Sequence, residues 1–339
     1  MHEVNSILSK KILHWYDNNK RILPWRIKKP KNKKDYYTLV SEFMLQQTQV
    51  KSVIPYFKEF VLKVPNLKAL SKCSEKKILK LWEGLGYYNR AKNLCKTAKI
   101  LVKKHKSKLP NEYKKIIELP GVGKYTANSL LALAYNKSCI PVDGNVKRVF
   151  SRLFLINSNN QSLYNEVEKI KNRYLKTKRN ADLAEGLMEF GAVICKPLNP
   201  QCNICCLKKN CMFYKNGKYP FQKEKTYIKE KKFNIYCYLN KSNKQIALTK
   251  NKNLTFLKNF RIPKIQVVVS SISSEKSGWS YLCNYKNNIS NIKMNIKLFY
   301  KFTKKIPKKF NWYSTSKTSK EFIPSFTKKI ITKIEKLYL

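Results

Sequence analysis

Five of the ten cysteines crowd into Cys195 to Cys211, and four of those, Cys195, Cys202, Cys205 and Cys211, follow a C-x6-C-x2-C-x5-C pattern. The other five, Cys73, Cys95, Cys139, Cys237 and Cys283, are scattered. Such clustering fits a metal centre in a reducing compartment better than a disulfide framework. Ligand chemistry alone leaves both zinc and a [4Fe–4S] cluster open, zinc being the commoner occupant of four clustered thiolates.

The chain around this cluster is basic throughout. It carries 71 Lys and Arg against 20 Asp and Glu, a formal charge of +51 over 339 residues, while 43% hydrophobic content argues against disorder. The excess is not a tail, because residues 221–339 hold 27 of the basic and 5 of the acidic side chains. A Lys-heavy composition spread over solvated faces accounts for part of it, and a polyanionic partner, nucleic acid by default, for the rest. No run of 18 apolar residues occurs, and residues 1–20 read as an amphipathic helix without a signal-peptide core, so a cytoplasmic, nucleoid-associated protein with no membrane partner is expected.

Residues 1–220 read as an all-α domain. Apolar residues recur at helical spacing over Tyr37–Leu62, Ile78–Val102, Tyr125–Tyr135, Val146–Phe154 and Ala181–Cys195. A charged stretch of weak periodicity, residues 221–232, is the expected linker. From 233 to 339 the period changes. Phe233–Leu239, Gln266–Ser270, Trp279–Leu282 and Asn295–Phe302 are short, aromatic and β-branched, as strands are, and Phe326–Leu339 carries one apolar helical stripe after Pro324 and Ser325. The second domain is therefore expected to be a small α+β unit.

Two motifs carry chemistry. Leu119-Pro120-Gly121-Val122-Gly123-Lys124-Tyr125 places two glycines between helical segments, where a loop without Cβ atoms lets backbone N–H groups approach a phosphate closely. A lone GxG of this kind is more often an ordinary helix connection. Further on, Pro141-Val142-Asp143-Gly144-Asn145-Val146-Lys147 puts an acidic residue where a helix opens, a common place for an N-cap. Taken together and in this order, the two resemble the helix-hairpin-helix DNA glycosylases, in which the hairpin grips phosphate and an Asp at this place serves the chemistry. The cysteine spacing is similar to the iron–sulfur loop of the same superfamily. The resemblance thus implies a [4Fe–4S] cofactor on Cys195, Cys202, Cys205 and Cys211, with Cys206 a non-ligand neighbour.

Within that superfamily, Leu23-Pro24-Trp25-Arg26, Ser41-Glu42-Phe43-Met44-Leu45-Gln46-Gln47-Thr48-Gln49-Val50 and Trp82-Glu83-Gly84-Leu85-Gly86-Tyr87-Tyr88 resemble the MutY family of adenine DNA glycosylases. The resemblance implies removal of adenine mispaired with 8-oxoguanine, or with guanine, from duplex DNA after the base is flipped out of the stack. It makes Glu42 the acid that protonates adenine N7 and Asp143 the stabiliser of the sugar oxocarbenium, with Asn145 orienting Asp143 and the attacking water. Position 125 holds Lys in the strand-cutting endonuclease III relatives. Here Tyr125 offers no amine, so a monofunctional glycosylase is expected, with Lys147 as a source of weak lyase activity. Arg26 and Glu185 match residues at the adenine edge, Gln47 and Tyr87 the pair that wedges beside the orphan base, and Leu119, Gly121 and Gly123 the phosphate-gripping hairpin.

The family's second domain is similar to Nudix hydrolases and reads 8-oxoguanine through a Phe-Ser-His loop. The counterpart here is Ile289-Ser290-Asn291, which keeps only Ser290, and no Glu-rich Nudix catalytic helix follows. The expected whole is a helix-hairpin-helix glycosylase domain with an iron–sulfur loop, joined to a Nudix-like domain that binds and does not hydrolyse. It would act as a monomer, with other repair or replication proteins as candidate partners. Two rivals are an endonuclease III-like lyase for oxidised pyrimidines and a non-catalytic iron–sulfur DNA-binding protein.

Overall fold

Turns built on left-handed backbone cut the first part of the chain into helices. The computed structural model describes residues 7–26, 31–156, 160–217, 229–268, 278–289, 291–315 and 322–338. The helices are α1 (Ile7–Asn19), α2 (Lys31–Leu45), α3 (Val50–Lys63), α4 (Leu67–Lys72), α5 (Glu75–Leu81), α6 (Asn89–Lys104), α7 (Tyr113–Ile117), α8 (Lys124–Tyr135), α9 (Gly144–Phe154), α10 (Asn160–Tyr174), α11 (Asn180–Val193) and α12 (Met212–Asn216). Two stretches with apolar residues at helical spacing, Tyr37–Leu62 and Ile78–Val102, each hold two helices. Gln47, at φ 55°, separates α2 from α3, while Gly84, Gly86 and Tyr87, at φ 106°, 78° and 48°, separate α5 from α6. The apolar period runs through both breaks because the helices on either side bury their own apolar faces.

By internal contacts the chain divides into two compact units, Met1–Leu81 with Tyr87–Lys223, and Trp82–Gly86 with Glu224–Leu339. In the first, Ile12 and Tyr16 of α1, Val146, Val149 and Phe150 of α9, Leu163 and Val167 of α10, and Leu187 and Phe190 of α11 share one core. Helix α1 approaches α11 closely at Gly186, where a Cβ would lie 3.0 Å from Ile12 Cγ2. Helix α2 packs on α3, α6 and α8 through Leu39, Val40, Phe43 and Met44, all with no exposed surface.

The glycine loop between α7 and α8 is pinned to α2. Gly121 adopts φ +79°, and a Cβ there would stand 2.8 Å from Asn93 Cβ and 3.1 Å from Phe43 Cε1. Gln46 Nε2 donates to Gly121 O at 3.2 Å and to Thr126 Oγ1 at 3.1 Å. Gly123, the N-cap of α8, has open space where its Cβ would be. The Leu119 side chain is buried, so only its backbone could meet a ligand.

The second unit is a mixed sheet of β1 (Lys229–Asn240), β2 (Gln245–Lys250), β3 (Arg261–Ile262), β4 (Lys264–Val268), β5 (Ser280–Ile289), β6 (Ile292–Phe302) and β7 (Phe310–Ser314), with α13 (Ser325–Ile334). Strand β1 runs parallel to β6, Phe233 opposite Ile296, and antiparallel to β2 and β4. Alternate residues Phe233, Ile235, Cys237 and Leu239 pack with Phe326, Ile330, Ile331 and Ile334, so the period-2 face of a strand meets the helical stripe of α13. The expected linker, residues 221–232, needs correction at its end: Lys229–Lys232 already pair with β6, since their backbone groups find partners there despite the charge of their side chains. Residues 221–228 lie outside the described part, as does Ser290. Its neighbours Ile289 and Ile292 pair across the β5–β6 hairpin.

Gly121→Ala is expected to cost about 1–3 kcal/mol, because it sets a Cβ on left-handed backbone against Asn93. Gly123→Ala is expected to cost under about 1 kcal/mol. Urea unfolding of the two variants checks the order, and equal losses would contradict this account of the hairpin.

Candidate active site

Four elements of the helical unit converge on a group of carboxylates. Helix α2 supplies Glu42, which is 3% exposed and whose Oε2 has no hydrogen-bond partner. Burial pushes its pKa up to about 7, against the pull of the Ser129 and Tyr125 hydroxyls of α8 beside it. Glu42 is therefore an acid that holds its proton to near neutral pH. The phenol of Tyr125, raised well above its ordinary value by burial and by Glu42 and Asp143 nearby, stays protonated and donates to Met188 Sδ at 3.6 Å.

Asp143 caps α9, so the ordinary structural role anticipated for an acid at a helix start is real. Its Oδ1 accepts from Asn145 N at 2.9 Å and Val146 N at 2.7 Å, and its Oδ2 accepts from Asn145 Nδ2 at 2.8 Å. Burial raises its pKa, and these bonds restrain the rise by favouring the anion. The cap also fixes where the carboxylate stands relative to Glu42 and Tyr125, which feel its charge.

Asn145 is held in turn. Its Oδ1 accepts from Arg148 Nη2 at 2.8 Å, and the same guanidinium donates to Gly191 O at 2.7 Å and, through Nε, to Cys195 O at 2.6 Å. A Cβ at Gly191 would lie 2.6 Å from Asn145 Cβ, so only glycine lets α11 come this close to α9. A second wall carries Arg26 and Glu185, paired at 3.1 Å, with the Tyr16 hydroxyl donating to Glu185. Arg26 also pairs with the buried Glu189 at 3.0 Å, as does Arg21. Burial, against the opposing charge of Arg26, raises Glu185; at Glu189 burial is outweighed by the two guanidiniums, which hold it below the usual carboxylate range.

Away from this group, Gln47 and Tyr87 are exposed, Tyr87 by 47%, and both sit on left-handed backbone. Lys147 is half-buried on α9, and Lys124 is exposed at the start of α8. Cys195, Cys202, Cys205 and Cys211 line one hollow with Arg152, Ile194 and Phe213, and Cys206 is not among its lining residues. All ten cysteines are free of disulfides. Arg152 Nη1 donates to Cys195 Sγ at 3.3 Å and to Lys196 O at 2.6 Å. Among the described residues, no three His, Cys, Asp or Glu stand in ligating geometry, and no helix is long and apolar enough to cross a membrane.

Sequence reasoning placed Glu42, Tyr125, Asp143, Asn145, Arg26 and Glu185, which the fold brings to one region. It missed Tyr16, Arg21, Ser129, Arg148, Glu189 and Gly191. Gly191 left one signal, a glycine inside a helical stretch.

Residues 40–176 match the HhH-GPD superfamily of base excision DNA repair proteins. The adenine DNA glycosylase of Buchnera aphidicola subsp. Baizongia pistaciae is 39% identical over 96% of this chain and 96% of its own. The chain belongs to the adenine DNA glycosylase family. It is a DNA N-glycosylase of base excision repair, built on the helical glycosylase fold with a second, strand-rich domain. The human adenine DNA glycosylase is 35% identical over 59% of this chain and 38% of its own. Of solved structures, a thermostable thymine-DNA glycosylase aligns with TM-score 0.55 and 29% identity over 62% of this chain and 96% of its own. A trapped endonuclease III–DNA covalent intermediate, 22% identical at TM-score 0.51 over 61% and 94%, shares the fold.

Because the folded pKa of Glu42 lies above its unfolded value of 4.5, its carboxyl favours folding below pH 4.5, and that contribution is lost as pH rises to about 7. The stability of the parent relative to Glu42→Gln is expected to fall by up to about 3 kcal/mol across that window. Chemical denaturation of both proteins at several pH values reads this directly. A difference that does not change with pH would show that Glu42 is not desolvated in solution.

Proposed function

We propose that this glycosylase removes adenine mispaired with 8-oxoguanine or guanine in double-stranded DNA, by hydrolysis without strand cleavage. The observation that carries the reading is Glu42: a buried, partly unsatisfied carboxyl tuned to about 7, facing Tyr125 where a strand-cutting relative would hold an amine. In this reading Glu42 donates its proton to N7 of the flipped adenine, making the base a better leaving group. Asp143, whose cap bonds favour its anion against burial, faces the sugar as positive charge develops on it. Asn145 positions Asp143 and the attacking water, and Tyr125 keeps that pocket closed without competing as a nucleophile. Arg26 and Glu185 meet the adenine edge, and Gln47 and Tyr87 fill the gap in the stack. The backbone of Leu119, Gly121 and Gly123 holds a phosphate, with Lys147 adding charge nearby.

The cysteine hollow fits a [4Fe–4S] cluster. Four thiols unpaired by disulfides line it, an arginine N–H meets one sulfur, and the surrounding wall is apolar. Cys195, Cys202, Cys205 and Cys211 would hold the group, whose contribution is structural: it fixes the 195–211 loop and the lysines on it, and it takes no part in hydrolysis. The mixed sheet with α13 supports a Nudix-like second domain, and in this reading the sequence Ile289-Ser290-Asn291 reads the base opposite adenine.

Single-turnover assays on duplexes with one adenine opposite 8-oxoguanine or opposite guanine test this reading. Strand scission is expected only after alkali, and faster opposite 8-oxoguanine. Asp143→Asn is expected to lower the rate by roughly 10²–10⁴-fold. Full activity in that variant, or scission without alkali, would overturn the mechanism. Cys202→Ser is expected to lose iron and visible absorbance in the purified protein.

A further inference from the structure

Gln47 and Tyr87 lie on different turns, yet both adopt left-handed φ, 55° and 48°, a conformation that costs a non-glycine residue about 1–3 kcal/mol and persists only where its surroundings impose it. One side chain reaches both turns. Arg90, in the first turn of α6, is 7% exposed. Its Nη1 donates to Phe43 O at 3.2 Å and Met44 O at 2.7 Å in the last turn of α2, and to Gln46 O immediately before Gln47. Its Nε donates to Tyr87 O at 3.4 Å, and its guanidinium lies over the Tyr87 ring, 5.4 Å from the centroid. Its backbone N also donates to Tyr87 O, at 2.9 Å.

An α-helix leaves its last carbonyls without helical partners, and the negative end of its dipole gathers there. The cation of Arg90 caps that end of α2 and so fixes how the chain leaves the helix at Gln47. The N–H edge of the planar group meets these carbonyls, while the group as a whole lies over the Tyr87 ring. A lysine could not do both, because an ammonium has no fork to span several carbonyls and no plane to stack on a ring. Burial lowers Arg90 to about 10, which leaves it cationic at neutral pH.

We infer that Arg90 is a positioning residue that locks Gln47 and Tyr87 into one preformed wedge, so that both side chains enter the DNA stack together beside the orphan base. This rests on reading Gln47 and Tyr87 as the wedge. Locking the two turns before binding removes the ordering cost of two flexible tips, which would otherwise be met when the adenine flips.

A double-mutant cycle on the full-length protein separates this role from a general contribution to the fold. The readouts are single-turnover excision at subsaturating enzyme and the fluorescence of 2-aminopurine placed beside the orphan base, which brightens when a wedge disturbs its stacking. Arg90→Lys is expected to lower the rate about 10-fold and dim the signal in the parent. In a Gln47→Ala, Tyr87→Ala background it is expected to change either by less than about 2-fold. Arg90→Gln, which keeps N–H donors on a neutral side chain, serves the same cycle if the lysine variant melts early. An equal loss in both backgrounds would overturn the role of Arg90 while leaving the wedge reading intact. Parental rate and fluorescence in the Gln47→Ala, Tyr87→Ala protein itself would overturn the wedge reading, and this inference with it.

Discussion

A carboxyl group taken out of water loses hydration that a protein interior replaces only through hydrogen bonds or opposite charge. Glu42 receives too little of either: one oxygen has no partner, and the hydroxyls of Ser129 and Tyr125 offset only part of the desolvation. The group keeps its proton as a result. Placing an arginine against Glu42 would have satisfied it and pulled its pKa down, as Arg21 and Arg26 do for Glu189 a short way off. The same interior thus raises one glutamate by burial and lowers another where two guanidiniums outweigh that burial.

Asp143 faces the opposite requirement and meets it with its helix. As the N-cap of α9 it accepts from two backbone N–H groups at the positive end of the helix dipole, which favours the anion where burial alone would discourage it. A structural cap and a charged group set beside Glu42 and Tyr125 are therefore one arrangement. Loss of Asp143 removes both, whereas Asn at that position keeps much of the cap and discards the charge.

Much of this site could be read from sequence because its residues lie in short contiguous motifs. Glu42 with Gln47, Gly121 with Tyr125, and Asp143 with Asn145 each fall within one short stretch of sequence, and the roles expected of them come from the family resemblance that those stretches carry. The groups that were missed act across long separations. Arg148 ties Asn145 to Cys195, and Glu189 joins Arg21 to Arg26, and neither pairing leaves a local pattern. The break at Gln47 left no glycine signal, because a non-glycine residue adopts the left-handed backbone there, whereas the break before α6 is marked by Gly84 and Gly86. In the second unit, β2, β3 and β7 escaped notice because they are at most six residues long and two of them carry little β-branched content. The start of β1 at Lys229 was masked by its charge.

The cysteine loop and the carboxylates are joined by a continuous hydrogen-bonded path, Cys195 O to Arg148 to Asn145 to Asp143. Gly191 makes that path possible, because any side chain there would push α11 off α9 by contact with Asn145. Arg148 in turn can reach Cys195 O only while the end of α11 is held where it is, and the residues that follow, 195–211, have no regular elements of their own beyond two short 3-10 turns. A loop so lightly built needs a staple if it is to serve as one end of a rigid path. Four thiols lining a single hollow supply the attachment points. The cysteine spacing and the asparagine two residues beyond Asp143, which look unrelated in the sequence, thus belong to one mechanical unit: whatever fixes Cys195 also fixes the side chain that holds the Asp143 carboxylate.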